Sequence, residues 1–512
     1  MDYLFGRSRP AVAVVPSDRV VPLHFFEDSP LVQGNNMAVS LTFDAVLDPQ
    51  KLRLALEGLV QQPGWERLGG RLRKNATGTI EWHIPAAFSH DRPAIAFAHV
   101  DHGVTAAAHA AARNIRLPQP SRVPAVVSNP DDFAHLAWTP GYQPGGIKDY
   151  LGTDGVDQPV LGLRVNSFTD TTVAVLQWQH VAFDALGMQY VVEGWQAMLW
   201  NKPDAVPTPV PYATDPFASL ARGDDDGEDK EDHVLLDRRA GLAGMVKWGL
   251  GYGVDMLLRA KDNGMVCVPA SFWQPQYEQA LAELRAEAIA QGTDPAGVFL
   301  TENDVVTAWI MRCVVRLQTD ARADRTVSAS IAMSLRKAFE GDGGLLPPAD
   351  QHHPYVGNAF GWSNVLVTAG DVRDRPLSWL AREVRRAINA QGTRAQHKAY
   401  FRLVRSAGTG LPVVVFGDGN MTQVGFSNWS KAGLFDLDFA PARQVPVAGS
   451  APCRPSYVQE NHGPIKPVDG FFILGKDAKG NYWASAYKLK GQWARLQEML
   501  EKEFGEAQPE QK

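Results

Sequence analysis

Residues 161–199 restrict what this chain can fold into more than any other stretch. Within TTVAVLQWQHVAFDALGMQY (171–190), Val173 and Val175 share one face of an extended run, and Leu176 and Trp178 share the other. Apolar residues of both parities predict a strand covered on its two faces. A similar run, Leu161-Gly-Leu-Arg-Val165, precedes it across a short Thr169-Asp170-Thr171 turn, so the pair reads as a hairpin. Beyond Asp184 the period changes, and Met188, Val191, Val192, Trp195 and Leu199 recur at helical spacing. His180 and Asp184 therefore fall at a strand-to-helix junction, where a rigid scaffold can present a side chain to a cleft.

The spacing His-x-x-x-Asp occurs at His24/Asp28, His180/Asp184 and His233/Asp237. Alone it is a weak signal, because a histidine in an apolar run is more often a hydrogen-bonded core residue. His24 lies among Val20, Val21, Leu23, Phe25 and Phe26, which predict an early strand. His233 follows the acidic run 224–232, which predicts a solvated linker. Only the middle copy has the strand, the small residues Ala182, Ala185 and Gly187, and the helix.

The 512 residues are 45% hydrophobic, enough for more than one core, and two to three domains are expected. A net charge of −6 gives no bulk attraction to nucleic acid. Cys267, Cys313 and Cys453 are odd in number and far apart, unlike a disulfide framework or a zinc site. A reducing compartment fits, and no metal is expected. His352 and His353 are adjacent, unlike a metal pair, and are assigned to a loop. The N-terminus lacks an apolar signal core. Residues 241–258 are hydrophobic but carry Lys247, Asp255 and several glycines, which predicts a buried or interfacial segment and no membrane span. The protein is read as soluble and cytoplasmic.

Three regions follow along the chain. Residues 1–201 hold strand patterns such as Met37–Phe43 and helical ones such as Leu52–Val60, with an alanine-rich helix expected over 105–115. Residues 202–259 form a crossover, rich in proline at first and ending in an acidic run that cannot fold alone. Residues 260–512 begin a second unit. Thr301-Glu-Asn-Asp304 has capping-box spacing, and the segments 471–475 and 482–487 read as a hairpin. Irregular alternation of strands and helices indicates mixed α/β.

Several segments, in order, resemble the BAHD-type acyltransferases, in particular their branch in fungal secondary metabolism. They are PGWERLGGRLRKNATGTIEWHIP, QHVAFDALG, TENDVVTAWIMR, SLRKAF, YVGNAF and FSNWSKAGLFDLDF. Where that family has Asp-Phe-Gly-Trp-Gly-Lys, this chain has Asp438-Phe-Ala-Pro-Ala-Arg443, a change that bears on the local loop and on how a coenzyme is held. The resemblance implies a monomeric two-domain α/β fold of the chloramphenicol-acetyltransferase type, with an active-site channel between the domains. It implies acyl-CoA as co-substrate, no permanently bound cofactor, and a small-molecule acceptor. Neither nucleic acid nor membrane is implied as a partner.

Acyl transfer from a thioester needs a base for the acceptor's proton, donors for the oxyanion and a proton for the leaving thiolate. A histidine with a pKa near neutrality can do the first and the third of these, and His180 is the candidate. The resemblance makes Asp184 structural, paired with Arg336, and puts Ser427 and Trp429 near the developing oxyanion. Asn358 and Arg443 are its candidates for coenzyme contact, with Lys398, Arg402 and Arg405 as further basic groups. The expected reaction is direct acylation of a hydroxyl, or of an amine. Alternatives are a condensation or cyclisation catalyst, using a carrier-bound or metabolite substrate, and a catalytically silent binding relative. Gln179 stands where condensation domains usually have a second histidine, which favours the free coenzyme.

Overall fold

Both apolar faces of the 172–179 run are indeed covered. The structure is a computed structural model that describes residues 12–110, 112, 122–153, 155–223, 231–318, 322–407, 414–445 and 451–505. In order, its strands are β1 (Arg19–Pro22), β2 (Asn35–Phe43), β3 (Arg71–Lys74), β4 (Ile80–Ile84), β5 (Ala96–Asp101), β6 (Ala125–Ser128), β7 (Leu161–Ser167) and β8 (Thr172–Gln179). Then come β9 (Lys261–Val268), β10 (Thr326–Ser334), β11 (Phe360–Thr368), β12 (Thr422–Asn428), β13 (Tyr457–Pro464), β14 (Gly470–Lys476) and β15 (Tyr482–Leu489).

A five-stranded sheet runs β13-β2-β8-β7-β5. β7 and β8 form the expected hairpin, with Leu161 opposite Trp178 and Ser167 opposite Thr172. Leu176 and Trp178 pack with Leu56 and Leu59 of the Pro49–Val60 helix and Val191 and Trp195 of the Ala185–Leu199 helix. Val173 and Val175 pack on the other side with Phe133, Leu136 and Phe168. Two cores on opposite faces are the physical reason both parities are apolar.

A seven-stranded sheet runs β11-β10-β12-β14-β15-β9-β6, parallel at β10–β12 and β12–β14. Its core joins Val327, Val424 and Ile473 to Val305, Leu380 and Leu496 from three covering helices. Asp304 accepts from the Thr301 N–H at 2.6 Å, closing the expected capping box at the start of Glu302–Leu317. A third sheet, β1-β4-β3, has three strands.

The two larger sheets exchange edge strands. β13 pairs with β2, placing His462 opposite Met37 and Pro464 opposite Asn35. β6 pairs with β9, placing Ala125 opposite Cys267. Each sheet thus covers an open edge with chain from the other half of the sequence. Residues 202–223 lie as a strap across the surface. Trp65 Nε1 donates to Pro207 O at 2.9 Å, Val210 N donates to Pro354 O at 3.0 Å, and Phe217 is buried among Phe26, Phe339 and Tyr355.

Several expectations need correction. Residues 242–257 form a helix, but no residue of it is buried. Its inner side lays Met245 and Trp248 on Ala240, Val415 and Met421, while Leu242, Leu250 and Leu257 are 80%, 66% and 75% exposed. Hydrophobicity alone did not say which neighbours would be available to cover it. No helix among the described residues is long and apolar enough to cross a membrane. The strand near His24 ends at Pro22, and His24 is buried in a turn, stacked on Tyr212 at 3.9 Å between centroids. His233 is also buried, stacked on Phe416, where burial lowers its pKa to about 4. The alanine-rich segment gives only a short 3-10 turn at Ala106–Ala108, and its last part lies outside the described residues. Residues 224–230 of the acidic run lie outside them as well.

Candidate active site

β8 ends at Gln179, and a tight loop carries the chain into the Ala185–Leu199 helix. Gln179 builds the turn. Its Nε2 donates to the carbonyls of Gln33 at 3.0 Å and Asn35 at 3.1 Å, and its Oε1 accepts from Val181 N at 2.7 Å. His180 N donates to Asn35 O at 3.1 Å. From the other half of the chain, Asn358 Nδ2 donates to the carbonyls of His180 at 2.9 Å and Val181 at 3.0 Å. The backbone of His180 is therefore gripped from two sides.

Asp184 ends the loop as the helix N-cap. Its Oδ1 accepts from Leu186 N at 3.1 Å and Gly187 N at 2.8 Å. Arg336, at the end of β10, approaches it as a fork, with Nη2 to Oδ1 at 2.9 Å and Nη1 to Oδ2 at 3.0 Å. Ala359 N adds a bond to Oδ2 at 2.9 Å. The guanidinium also donates to Tyr355 O at 2.9 Å, Gly357 O at 2.6 Å and Ser334 Oγ at 3.3 Å, so none of its nitrogens lacks an acceptor. Burial pushes the Asp184 carboxyl up, but Arg336 and the backbone N–H groups more than offset this and hold it below the usual carboxylate range. Gly187 lets the helix start come this close. A Cβ there would stand 2.1 Å from Val356 O.

With Asp184 committed to Arg336, His180 has no carboxylate partner of its own among the described residues. It remains partly exposed, and its Nδ1 is enclosed without a hydrogen-bond partner. Nε2 is the nitrogen left to meet a ligand. Burial lowers the imidazole pKa from its ordinary 6.5, and nearby His462 lowers it further. The Asp184 charge and Asn358 pull the other way without reversing the shift.

Across the gap between the sheets, Trp429 Nε1 donates to Ser427 Oγ at 2.9 Å. The indole packs against Trp178 of the His180 strand at 6.5 Å and against Phe472 at 5.5 Å between centroids. Sequence reasoning offered both groups as oxyanion donors. The geometry spends the indole N–H on Ser427, so the serine hydroxyl is the donor with a free direction.

The structure thus brings together His180, Asp184, Arg336, Asn358, Ser427 and Trp429. It does not gather Arg443 with them. That side chain donates to Ala451 O at 2.8 Å and Pro452 O at 3.1 Å, closing its own loop. Arg402 and Arg405 donate to the carbonyls of Glu231 and Leu220, fastening the crossover to the Arg394–Ala407 helix. His353 holds the strap through Thr208 O. Among the described residues no cluster could hold a metal ion.

One buried titratable pair is not predicted from the sequence. His462 on β13 is paired through Nδ1 with the Glu460 carboxylate, both buried. The signal was the alternation Glu460-x-His462, which places both side chains on one face of a strand.

Comparisons with known proteins fit this geometry. A family model described as "Transferase family" matches residues 265–456. Acetyltransferase adrJ of Penicillium rubens is 31% identical over 514 residues, which cover 98% of this chain and 99% of that protein. Transcriptional regulator calD of Penicillium decumbens is 32% identical over 501 residues, covering 95% of this chain and 96% of its own. Among solved structures, F. sporotrichioides TRI101 complexed with coenzyme A and T-2 has a TM-score of 0.59 at 16% identity, covering 93% of this chain and 97% of that one. The chain belongs to the BAHD-type acyltransferase family, and it is an acyltransferase.

The Asp184–Arg336 pair makes a direct prediction. Asp184→Ala and Arg336→Ala should each cost about 3–5 kcal/mol in denaturant unfolding, because each leaves a buried charge unpaired. The double variant should lose less than the sum of the two. Strict additivity in that cycle would show that the pair does not act as a unit.

Proposed function

We propose that the protein transfers an acyl group, acetyl being the first to test, from acyl-CoA to a hydroxyl of a small secondary metabolite. Transfer takes place in a ternary complex with His180 as general base. The observation that carries this reading is the His180 loop itself. An imidazole with its pKa lowered by burial sits on a loop held by a buried ion pair and by Asn358, and Trp429, the donor to Ser427, packs against Trp178 of the same strand. The acetyltransferase name of the P. rubens relative and the coenzyme A in the TRI101 complex supply the donor class.

In this mechanism Nε2 of His180 takes the acceptor's proton as its oxygen attacks the thioester carbonyl. Ser427 donates to the oxyanion, with Trp429 fixing the direction of that hydroxyl. The carbon–sulfur bond then breaks, its electron pair goes to sulfur, and the proton on His180 passes to the thiolate. Attack is direct. Cys267, Cys313 and Cys453 are buried, and burial pushes the Cys313 thiol up to about 12, which leaves it unsuited as a nucleophile. Asn358 acts here as a positioning residue. Arg443 would have to release the carbonyls of Ala451 and Pro452 to reach a coenzyme phosphate. The protein works as a monomer in the cytoplasm. A non-catalytic role has the name of the P. decumbens relative in its favour, and the intact His180 loop weighs against it.

His180→Ala should lower turnover by about 10²–10⁴-fold with an unchanged thermal melt. His24→Ala and His233→Ala should keep turnover per folded molecule, and loss of activity in either with survival in His180→Ala would move the base elsewhere. The pH profile follows from the lowered pKa. The neutral base persists below 6.5, so the acid limb of kcat/KM should lie under that value and activity should be lost as pH falls through it. Calorimetry should show binding of coenzyme A. Turnover from a loaded carrier protein without coenzyme binding would transfer the reading to a condensation catalyst.

A further inference from the structure

The helix Leu242–Leu257 presents an apolar face that no described residue covers. Leu242, Val246, Leu250, Val254 and Leu257 follow one another at three- and four-residue steps, so they share one side. Leu258 extends that side past the last turn and is 78% exposed. Gly249, Gly251 and Gly253 lie on it or beside it, and a Cβ on any of them would meet no atom within 4 Å. Lys247, next to Gly419, is the one charge among these outward residues. A contiguous apolar patch of this kind on a soluble domain marks an interaction surface.

The opposite side of the helix is already engaged. Trp248 stacks on Tyr252 at 5.4 Å between centroids, and the Tyr252 hydroxyl donates to Val468 O at 3.2 Å. Met245 and Trp248 lie against Val415 and Met421. Turning the leucines inward would break these contacts, so the open face is a fixed feature of the fold. As one side of a cylinder it is convex, whereas a small-molecule site is concave. The half-cylinder of a 16-residue helix offers roughly 400 Å², half of the about 800 Å² that each partner gives to a stable dimer. A lipid surface needs no partner of matching shape.

Charge points the same way. From Leu236 to Lys261 the chain carries Arg238, Arg239, Lys247, Arg259 and Lys261 against Asp237 and Asp255, although its net charge is −6. Asp255 is tied to Arg259 at 3.1 Å, and Lys261 donates to the carbonyls of Met256 and Arg259. Arg238 and Lys247 are exposed. Cations around an apolar helix face match anionic headgroups lying above acyl chains.

We propose that the helix Leu242–Leu257 is a peripheral docking surface for an anionic lipid bilayer. It lies in the headgroup plane with its leucines among the acyl chains and does not cross. The inference stands apart from the acyl-transfer reading, since none of these residues belongs to the His180 site.

The test is co-sedimentation of the full chain with vesicles of equimolar phosphatidylcholine and phosphatidylserine, beside sedimentation velocity without lipid. The wild type should bind the vesicles and stay monomeric without them. The double variant Leu250→Asp, Leu257→Asp should bind at least about tenfold more weakly with an unchanged thermal melt, because both side chains are already mostly in water. Leu54→Asp, at a leucine 57% exposed on the Pro49–Val60 helix, should bind as the wild type does. Lys247→Glu should weaken binding about fivefold, and added salt should weaken the wild type. No vesicle binding by the wild type, or equal binding by the double variant, overturns the proposal. A dimer in the absence of lipid that the double variant dissolves, with no vesicle binding, makes a second copy the occupant and overturns it too. If the double variant does not fold, Lys247→Glu and salt decide, and binding that neither changes overturns it.

Discussion

The bidentate contact between Asp184 and Arg336 is the constraint on which the site depends. It joins the end of one sheet's central hairpin to the end of a strand in the other sheet, at 2.9 Å and 3.0 Å. A buried ion pair is costly to form, and it persists here because the remaining lone pairs and N–H groups are all occupied. The same carboxylate caps the Ala185–Leu199 helix, so the pair fixes the helix start, the loop and the relative position of two halves of the chain. His180 inherits its position from this contact and takes no charge partner from it.

The strand exchange gives the site its second wall. β13 crosses to the five-stranded sheet and pairs with β2, the strand whose Asn35 carbonyl accepts from His180 N. β12 and β14 stay in the seven-stranded sheet and bring Ser427, Trp429 and Phe472 to the gap between the two. The result is two imidazoles with different partners, His180 gripped only through its backbone and His462 braced by the Glu460 carboxylate.

Expectation and structure part where burial depends on distant neighbours. The segment 242–257 is helical and apolar, as its composition suggests, yet the fold leaves its outer leucines uncovered. His233 follows an acidic run and is nonetheless buried against Phe416, which comes from far along the chain. Arg443 sits in a recognisable segment, but the carbonyls of Ala451 and Pro452 decide what it binds. In each case the local pattern was legible and the partner was not.

What the sequence by itself determined is local. The two-sided strand, the change of period at Asp184 and the capping box at Thr301 follow from periodicity and from side-chain reach over a few residues. Similarity of segments extended this to the partnership of Asp184 with Arg336. Tertiary structure alone decided that β13 pairs with β2, that Asn358 holds the carbonyl of His180, and that the Trp429 N–H is spent on Ser427. It also decided that Glu460 and His462, on one face of β13, pair with each other. These contacts join residues tens to hundreds of positions apart or depend on the direction of a single N–H. Alternation and spacing carry no record of which strand lies next in a sheet, because that choice is made by the packing of whole layers.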